Sequence, residues 1–367
     1  NRFDEKGNKP VYSPDSTQVA FIKNDNLFIE NKKTEEEFQL SFDGSPGNFY
    51  SSYIKWSPDG EKIMAYKVKP GDDRKIYFVE SSPKEQLQPK LQSRDYLKPG
   101  DELPFRSPQL FLVQSKKHIA IPTDEFNQQF RLNNFDWRED SSAFTFEYNQ
   151  RGHQAYKVIE INALNGNVSV LINETCRTFI DYSSKKYRYD VADGKELIWT
   201  SERDGHNHLY LYDGETGKVK KQLTRGDWVV RKVIHVDEKN REVYFVASGL
   251  DKDQDPYFQH YCKVDFNGKN FTRFTTENGN HELTFSDDYQ YYVDQYSRVD
   301  APPVTVLKEA KSQKVKMIMQ EADHSKLVAQ GWRAPEVFTA KGRDGLTDIW
   351  GIIIRPSTFN PKKVYPV

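Results

Sequence analysis

The chain has 367 residues and sets 53 lysines and arginines against 54 aspartates and glutamates, a net charge of −1, so the totals exclude a strongly basic face for nucleic acid. No stretch approaches the ~18 apolar residues of a membrane helix, which excludes a spanning segment of that kind. With 21 Tyr, 23 Phe and hardly any helical period, strand follows strand, and the composition points to an all-β protein.

The first blade-like unit reads as truncated, from Asn1 to Glu37, with Val19 to Ile22 and Asn26 to Glu30 forming a hairpin around Asn24-Asp25. Phe38-Gln39-Leu40-Ser41 then leads into the best-formed unit, Ile54 to Glu80. There a strand ends at Trp56, Ser57-Pro58-Asp59-Gly60 turns the chain, Lys62 to Val68 returns, and Ile76 to Val79 makes a third strand. Proline presets its backbone angle, aspartate caps nearby amides and glycine tolerates positive φ, so this tetrapeptide is a turn with a mechanism. A lone meander cannot bury its own face, so the unit requires neighbours like itself.

Those neighbours centre on Asp15, Asp140, Asp193, Asn240 and Asp288; with Asp59 the intervals are 44, 81, 53, 47 and 48 residues. All but the second match the ~40 to 50 residues of a four-stranded propeller blade. The long interval holds a polar segment from Ser81 to Pro108 with five prolines, read as an excursion from one blade, after which Gln109 to Gln114 and Lys117 to Pro122 resume as strands. Further blades run through Asn133 to Asn167, through Lys195 to Gly217, and around Val243 to Ser248 and Tyr289 to Asp294. Gln222-Leu223-Thr224-Arg225-Gly226 and Phe274-Thr275-Thr276 repeat the outer-strand ending of Leu40-Ser41 and mark passages between blades. Glu309 to Gln330 is the one partly helical candidate, and Val337 to Arg355 is a last pair of strands about a Gly345 turn. The blade region is therefore placed at 1–355, with 356–367 as the start of a linker into a further domain. A chain that opens on Asn1 without a signal peptide and stops at Val367 in a strand-like run reads as a piece of something longer.

The catalytic motifs sought are absent. There is no G-x-S-x-G nucleophile elbow, no second histidine at metalloprotease spacing after His281-Glu282 and no glycine-rich phosphate loop; no cofactor or catalytic residue is assigned. His206-x-His208 lacks a companion cysteine or carboxylate cluster, so no metal is assigned either. Cys176 and Cys262 are read as two buried free thiols rather than a disulfide. Two charged clusters remain, Glu147 with Arg151 and Glu202 with Arg203, on corresponding loops of successive blades. A carboxylate there suits a ligand ammonium, and an arginine a carbonyl or carboxylate; interblade salt bridges are the competing reading.

The WSPDG turn at Trp56 to Gly60, SERDGHNHLYLYD from Ser201, QLTRGDWVV from Gln222, the stretch from Tyr291 through Pro303, and above all Trp350 to Pro356 with Phe359 to Val367 carry a resemblance to a known family. The chain resembles the N-terminal propeller region of the dipeptidyl peptidase IV branch of the prolyl oligopeptidase family of serine exopeptidases. The resemblance implies a β-propeller of four-stranded antiparallel blades, eight in the parent and about six to seven here. It implies a Ser-Asp-His α/β-hydrolase domain beyond this sequence, di- or tripeptide release from peptide substrates, a periplasmic or secreted location and a homodimer of the full-length enzyme. The propeller itself is expected to be inactive alone, gating access and holding the substrate N-terminus; a stand-alone scaffold binding a protein partner is the alternative. The family's tandem glutamates precede the WSPDG turn, whereas Asp43 to Tyr53 holds no glutamate. A different anchor, Glu147 or Glu202, or a different substrate length follows.

Overall fold

A computed structural model describes residues 9–366. Six four-stranded antiparallel sheets run in chain order. The first contains β1 (Val11–Tyr12), β2 (Gln18–Lys23), β3 (Asn26–Asn31) and β4 (Glu37–Gln39). Where a truncated unit was expected there are thus four strands; Asn1 to Asn8 lie outside the described residues. Next come β5 (Phe49–Trp56), β6 (Lys62–Lys69), β7 (Lys75–Glu80), β8 (Lys90–Asp95), β9 (Phe105–Leu112) and β10 (Lys117–Ile119). The second sheet has the order β10-β9-β6-β5, while β7 and β8 pair only with each other. The excursion reading holds, but the third-strand assignment of Ile76 to Val79 does not. That run has the right residues for a strand and pairs inside the excursion, leaving β9 to take the third place, with Ala65 opposite Gln109.

The third sheet is β11 (Gln129–Trp137), β12 (Ala143–Gln150), β13 (Ala155–Asn162) and β14 (Val168–Thr175). The fourth is β15 (Arg188–Val191), β16 (Glu196–Ser201), β17 (His208–Asp213) and β18 (Val219–Gln222). The fifth is β19 (Val229–Asp237), β20 (Glu242–Ser248), β21 (Gln259–Asp265) and β22 (Thr272–Arg273). The sixth is β23 (Asn280–Phe285), β24 (Tyr291–Arg298), β25 (Ala301–Glu309) and β26 (Val315–Glu321). A five-residue helix, α1 (Ser325–Ala329), is all that 309–330 yields in helical form, because Val315–Glu321 pairs as an outer strand instead. The hairpin of β27 (Glu336–Lys341) and β28 (Asp348–Ile353) completes the chain.

Contacts divide the protein into two compact units. One runs to Tyr182 and takes in the turns 193–195 and 214–218; the other holds 183–192, 196–213 and everything from Val219 on. In the first unit, alternate residues of β6 serve two cores. Ile63 and Ala65 join the apolar cluster of the first sheet, whereas Met64, Tyr66 and Val68 join that of the third. In the second unit β20 does the same, with Val243, Phe245 and Ala247 on one side and Tyr244 on the other. Strands apolar on both faces are stable only when both faces are covered. Cys262 is buried in this way, its thiol pushed up to about 12 by loss of water, while Cys176 is only half-buried, and neither is in a disulfide.

Two small hydrogen-bonded devices recur. In the turns, the Ser57 hydroxyl donates to Asp59 Oδ1 at 2.5 Å and accepts from Lys62 N at 3.0 Å. Ser13 with Asp15 and Gln18, and Ser286 with Asp288 and Tyr291, repeat the pattern. At the passages between sheets, Ser41, Thr224 and Thr275 accept the N–H of Leu27, Leu209 and Tyr261 at 2.9, 2.9 and 3.0 Å. Each hydroxyl then faces a residue at the start of the inner strand: Asn26 Oδ1 at 3.0 Å, His208 Nδ1 at 3.0 Å and His260 Nδ1 at 3.3 Å. His208 Nε2 lies 2.9 Å from the Gly226 carbonyl, so the neutral ring, donating there and accepting from Thr224, satisfies every group.

Burial holds His208 below the usual imidazole range, and burial with the nearby Arg273 guanidinium takes His260 down to about 4. The unfolded chain binds protons at these rings near pH 6.5 while the folded chain does not, so the folded state loses stability as pH falls from about 6.5 toward 4. Replacing both by asparagine, the residue the first sheet uses at Asn26, should flatten that part of the stability profile relative to the parent chain; urea unfolding between pH 4 and 7 measures it, and parallel profiles would remove the clasps from the account.

Candidate functional site

Beyond the end of β12 the chain turns sharply through Gly152, at φ 93°, and His153, at φ 58°. Glycine meets the first left-handed position without strain. At the second, the His153 ring is held by Nδ1 3.0 Å from Asn149 Oδ1, and its carbonyl accepts Ile180 N at 2.9 Å. This turn sets Arg151 in solvent, its N–H donating to the Gln128 carbonyl at 2.8 Å. Glu147 lies inside the sheet, fully buried, and accepts the Tyr156 hydroxyl at 2.5 Å. The spacing of four that seemed to pair them on one loop straddles the strand end, so one is interior and the other is at the surface.

Three rings converge on that of His153. His153 stacks on Tyr182 with centroids 4.6 Å apart and is met edge-on by Phe130 at 4.6 Å and by Phe179 at 5.4 Å. Phe130 and Phe179 also reach Tyr182, at 5.8 and 6.2 Å. Loss of water depresses the His153 pKa, which favours a neutral aromatic surface, and Phe179 keeps 51% of its area exposed. Next to this nest, Arg151, Lys69, Glu102, Phe105, Gln128 and Gln129 line an open cleft of about 350 Å³. Gln129 is fixed there by reciprocal bonds to the Arg106 backbone, at 3.0 and 2.8 Å. Half-exposed rings offer a platform for an apolar or cyclic side chain, and the two cations can hold carbonyl or carboxylate oxygens. None of the nest was singled out from sequence; the loop through His153 was visible, but nothing local tied it to Phe130 or to Phe179 and Tyr182.

The second charged pair, Glu202 and Arg203, follows β16 in the other compact unit. Glu202 is exposed and bonds Lys185 at 2.7 Å. Arg203 donates through Nε to Ser201 Oγ at 2.8 Å, reaches the Tyr212 hydroxyl and lies over the Tyr210 ring at 4.6 Å. Both side chains are thus occupied within their own sheet. His208 likewise offers no ligand atom outward, and its ring centroid is 6.4 Å from that of His206.

Among the described residues one group has metal-ligand character: Glu277, His281 and Asp294, with ligand atoms within 4.8 Å of one another. Lys308 already supplies a cation there. Its Nζ is 2.7 Å from Glu277 and 3.1 Å from the fully buried Asp294, while His281 Nδ1 meets Asp294 at 2.8 Å and Nε2 faces the Glu277 carbonyl at 2.9 Å. Buried carboxylates need such compensation, and the ammonium provides it without a metal.

The family model described as the dipeptidyl peptidase IV (DPP IV) N-terminal region matches residues 2–303. A probable dipeptidyl-aminopeptidase B of Emericella nidulans is 25% identical over 100% of this chain and 44% of its own length. A dipeptidyl peptidase 4 of Arthroderma otae is 24% identical over 97% of the chain and 48% of its own length. Among solved structures, dipeptidyl peptidase 4 of Porphyromonas gingivalis superposes with a TM-score of 0.67 at 20% identity, covering 98% of this chain and 52% of that one. A putative dipeptidyl aminopeptidase IV from Bacteroides ovatus gives 0.63 at 22% identity. The fold is accordingly a β-propeller of four-stranded blades, and the chain spans about half the length of the relatives it matches. It belongs to the family of dipeptidyl peptidase IV N-terminal regions.

Proposed function

We propose that this chain is the non-catalytic propeller region of a serine exopeptidase of dipeptidyl or tripeptidyl type, gating access and positioning the N-terminal part of peptide substrates for a hydrolase domain, with the boundary at Arg355-Pro356. The observation that carries this reading is the cleft of Arg151 and Lys69 beside the aromatic nest of His153. An extended peptide presents backbone carbonyls at fixed spacing and, at proline, a flat apolar ring. The cations suit the first and the nest suits the second. Glu147 then acts indirectly, holding Tyr156 of β13 against β12, the strand that ends one residue before Arg151, while Glu202 and Arg203, engaged by Lys185, Ser201 and Tyr212, take no part in this cleft. Family membership and the relatives' greater length support a hydrolase domain outside this sequence and a periplasmic or secreted parent.

Homodimerisation has a surface of its own. Tyr77, Phe78, Val79 and Leu91 on the β7–β8 hairpin are 68, 47, 63 and 69% exposed, and β7 has a free edge. A two-fold axis at Tyr77 would pair two copies of β7 antiparallel, with Arg74 of one copy opposite Glu80 of the other and Ile76 opposite Phe78. Such self-complementarity is what an isologous contact demands.

Two measurements test these statements. Calorimetric titration of this chain with a proline-containing tetrapeptide bearing a free N-terminus should show saturable binding that Arg151→Ala and Phe179→Ala each weaken about tenfold, or about 1.4 kcal/mol; affinity indifferent to both places the peptide elsewhere. Sedimentation should show a monomer–dimer equilibrium that Tyr77→Asp shifts to monomer, and an unaltered equilibrium removes β7 from the interface.

A further inference from the structure

A second cavity, of about 160 Å³, lies at the root of the β7–β8 hairpin. It shares only Pro70 and Pro104 with the Arg151 cleft and is separated from it by them. Its floor is apolar: Phe49 and Val68 are 6% and 2% exposed, and Leu97 closes one side. Its rim carries both signs of charge, with Asp73 and Asp95 against Arg74 and Arg106.

The walls are fixed by backbone bonds rather than by side chains that could fold inward. Asp72 N donates to the Glu102 carbonyl at 2.9 Å, Glu102 N donates to Asp72 Oδ2 at 3.0 Å, and Tyr96 N donates to the Arg74 carbonyl at 2.9 Å. Gly71 allows the close approach, since a Cβ there would stand 2.3 Å from the Glu102 oxygen. Arg74 and Asp95, in contrast, are only loosely engaged: Arg74 is 3.9 Å from Asp101 and Asp95 is 4.0 Å from Lys75, all with exposed or half-exposed side chains. Pairs at that distance and exposure contribute little, so a ligand with better geometry displaces them at small cost.

An apolar floor under a rim of carboxylates and guanidiniums suits one kind of small molecule: an apolar side chain with an ammonium at one end and a carboxylate at the other. We propose that this cavity is a binding site for a zwitterionic, apolar amino acid or dipeptide, distinct from the Arg151 cleft and independent of the reading given to that cleft. Asp73 and Asp95 receive the ammonium, Arg74 the carboxylate, and Phe49, Val68 and Leu97 the side chain. Neither blocked nor uncharged analogues satisfy both ends of the rim, so each forgoes a charge-assisted hydrogen bond that the zwitterion makes.

Calorimetry on the intact chain with L-leucine, the dipeptide Leu-Pro, and N-acetyl-Leu-Pro amide tests this directly. Leucine or Leu-Pro should saturate one site below about 10 mM, with whichever is tighter naming the natural length, and the blocked analogue should bind at least about tenfold more weakly. The exposed pair Asp73→Asn with Arg74→Gln should lower zwitterion affinity at least about tenfold without changing the far-ultraviolet circular dichroism. Leu97→Asp provides a second variant that fills the apolar wall with charge and should also abolish binding. Absence of saturation for both zwitterions, equal affinity for the blocked analogue, or unchanged affinity in the variants would each overturn the assignment.

Discussion

The structure depends on strands whose two faces are both apolar. β6 directs Ile63 and Ala65 to one core and Met64, Tyr66 and Val68 to another, so its sheet cannot be stable with either face in water. At roughly 1.5–3 kcal/mol for each large side chain fully buried, a single uncovered face forfeits several kcal/mol, comparable to the whole net stability of a domain. The consequence is repetition, because each sheet needs a neighbour of its own kind. The same demand operates on β20 in the second unit.

Burial fixes which faces meet but is nearly indifferent to sliding along them. The polar clasps supply what burial lacks. Ser57 ties the start of its turn to the returning strand, and Ser41, Thr224 and Thr275 tie the last strand of a sheet to the first residues of an inner one. Each bond contributes only about 1 kcal/mol, yet each can form in one register alone. The device is the same whether the partner is Asn26 or His208; the histidine version adds a second bond, to Gly226, and with it sensitivity to acid.

Much of this was legible in the residues. The Ser-Pro-Asp and Ser-Asp-Asp turns announce themselves because proline, aspartate and glycine act locally, and their spacing gave the sheets. Lys75 to Glu80 shows the limit of that logic. Its composition dictates a strand but not a partner, and the partner was β8 within the excursion, because the true neighbour of β6 arrives only at Phe105. Glu147 and Arg151 show another limit, since a strand that ends between two residues sends one to the core and one to water. The aromatic nest was illegible for a third reason: Phe130, His153, Phe179 and Tyr182 come together through the register of separate strands and loops, and no local pattern encodes that meeting.

The proposed binding sites lie where the repeating constraint is relaxed, at strand ends and in the excursion. The central claim is that peptide is held at the start of β11 and the end of β12. Hydrogen–deuterium exchange of the intact chain, with and without a free N-terminal proline peptide, tests it most directly. The account predicts slowed exchange in residues 127–131, 150–154 and 177–182, with 201–204 unchanged; protection confined to 201–204, or absent throughout, would contradict it.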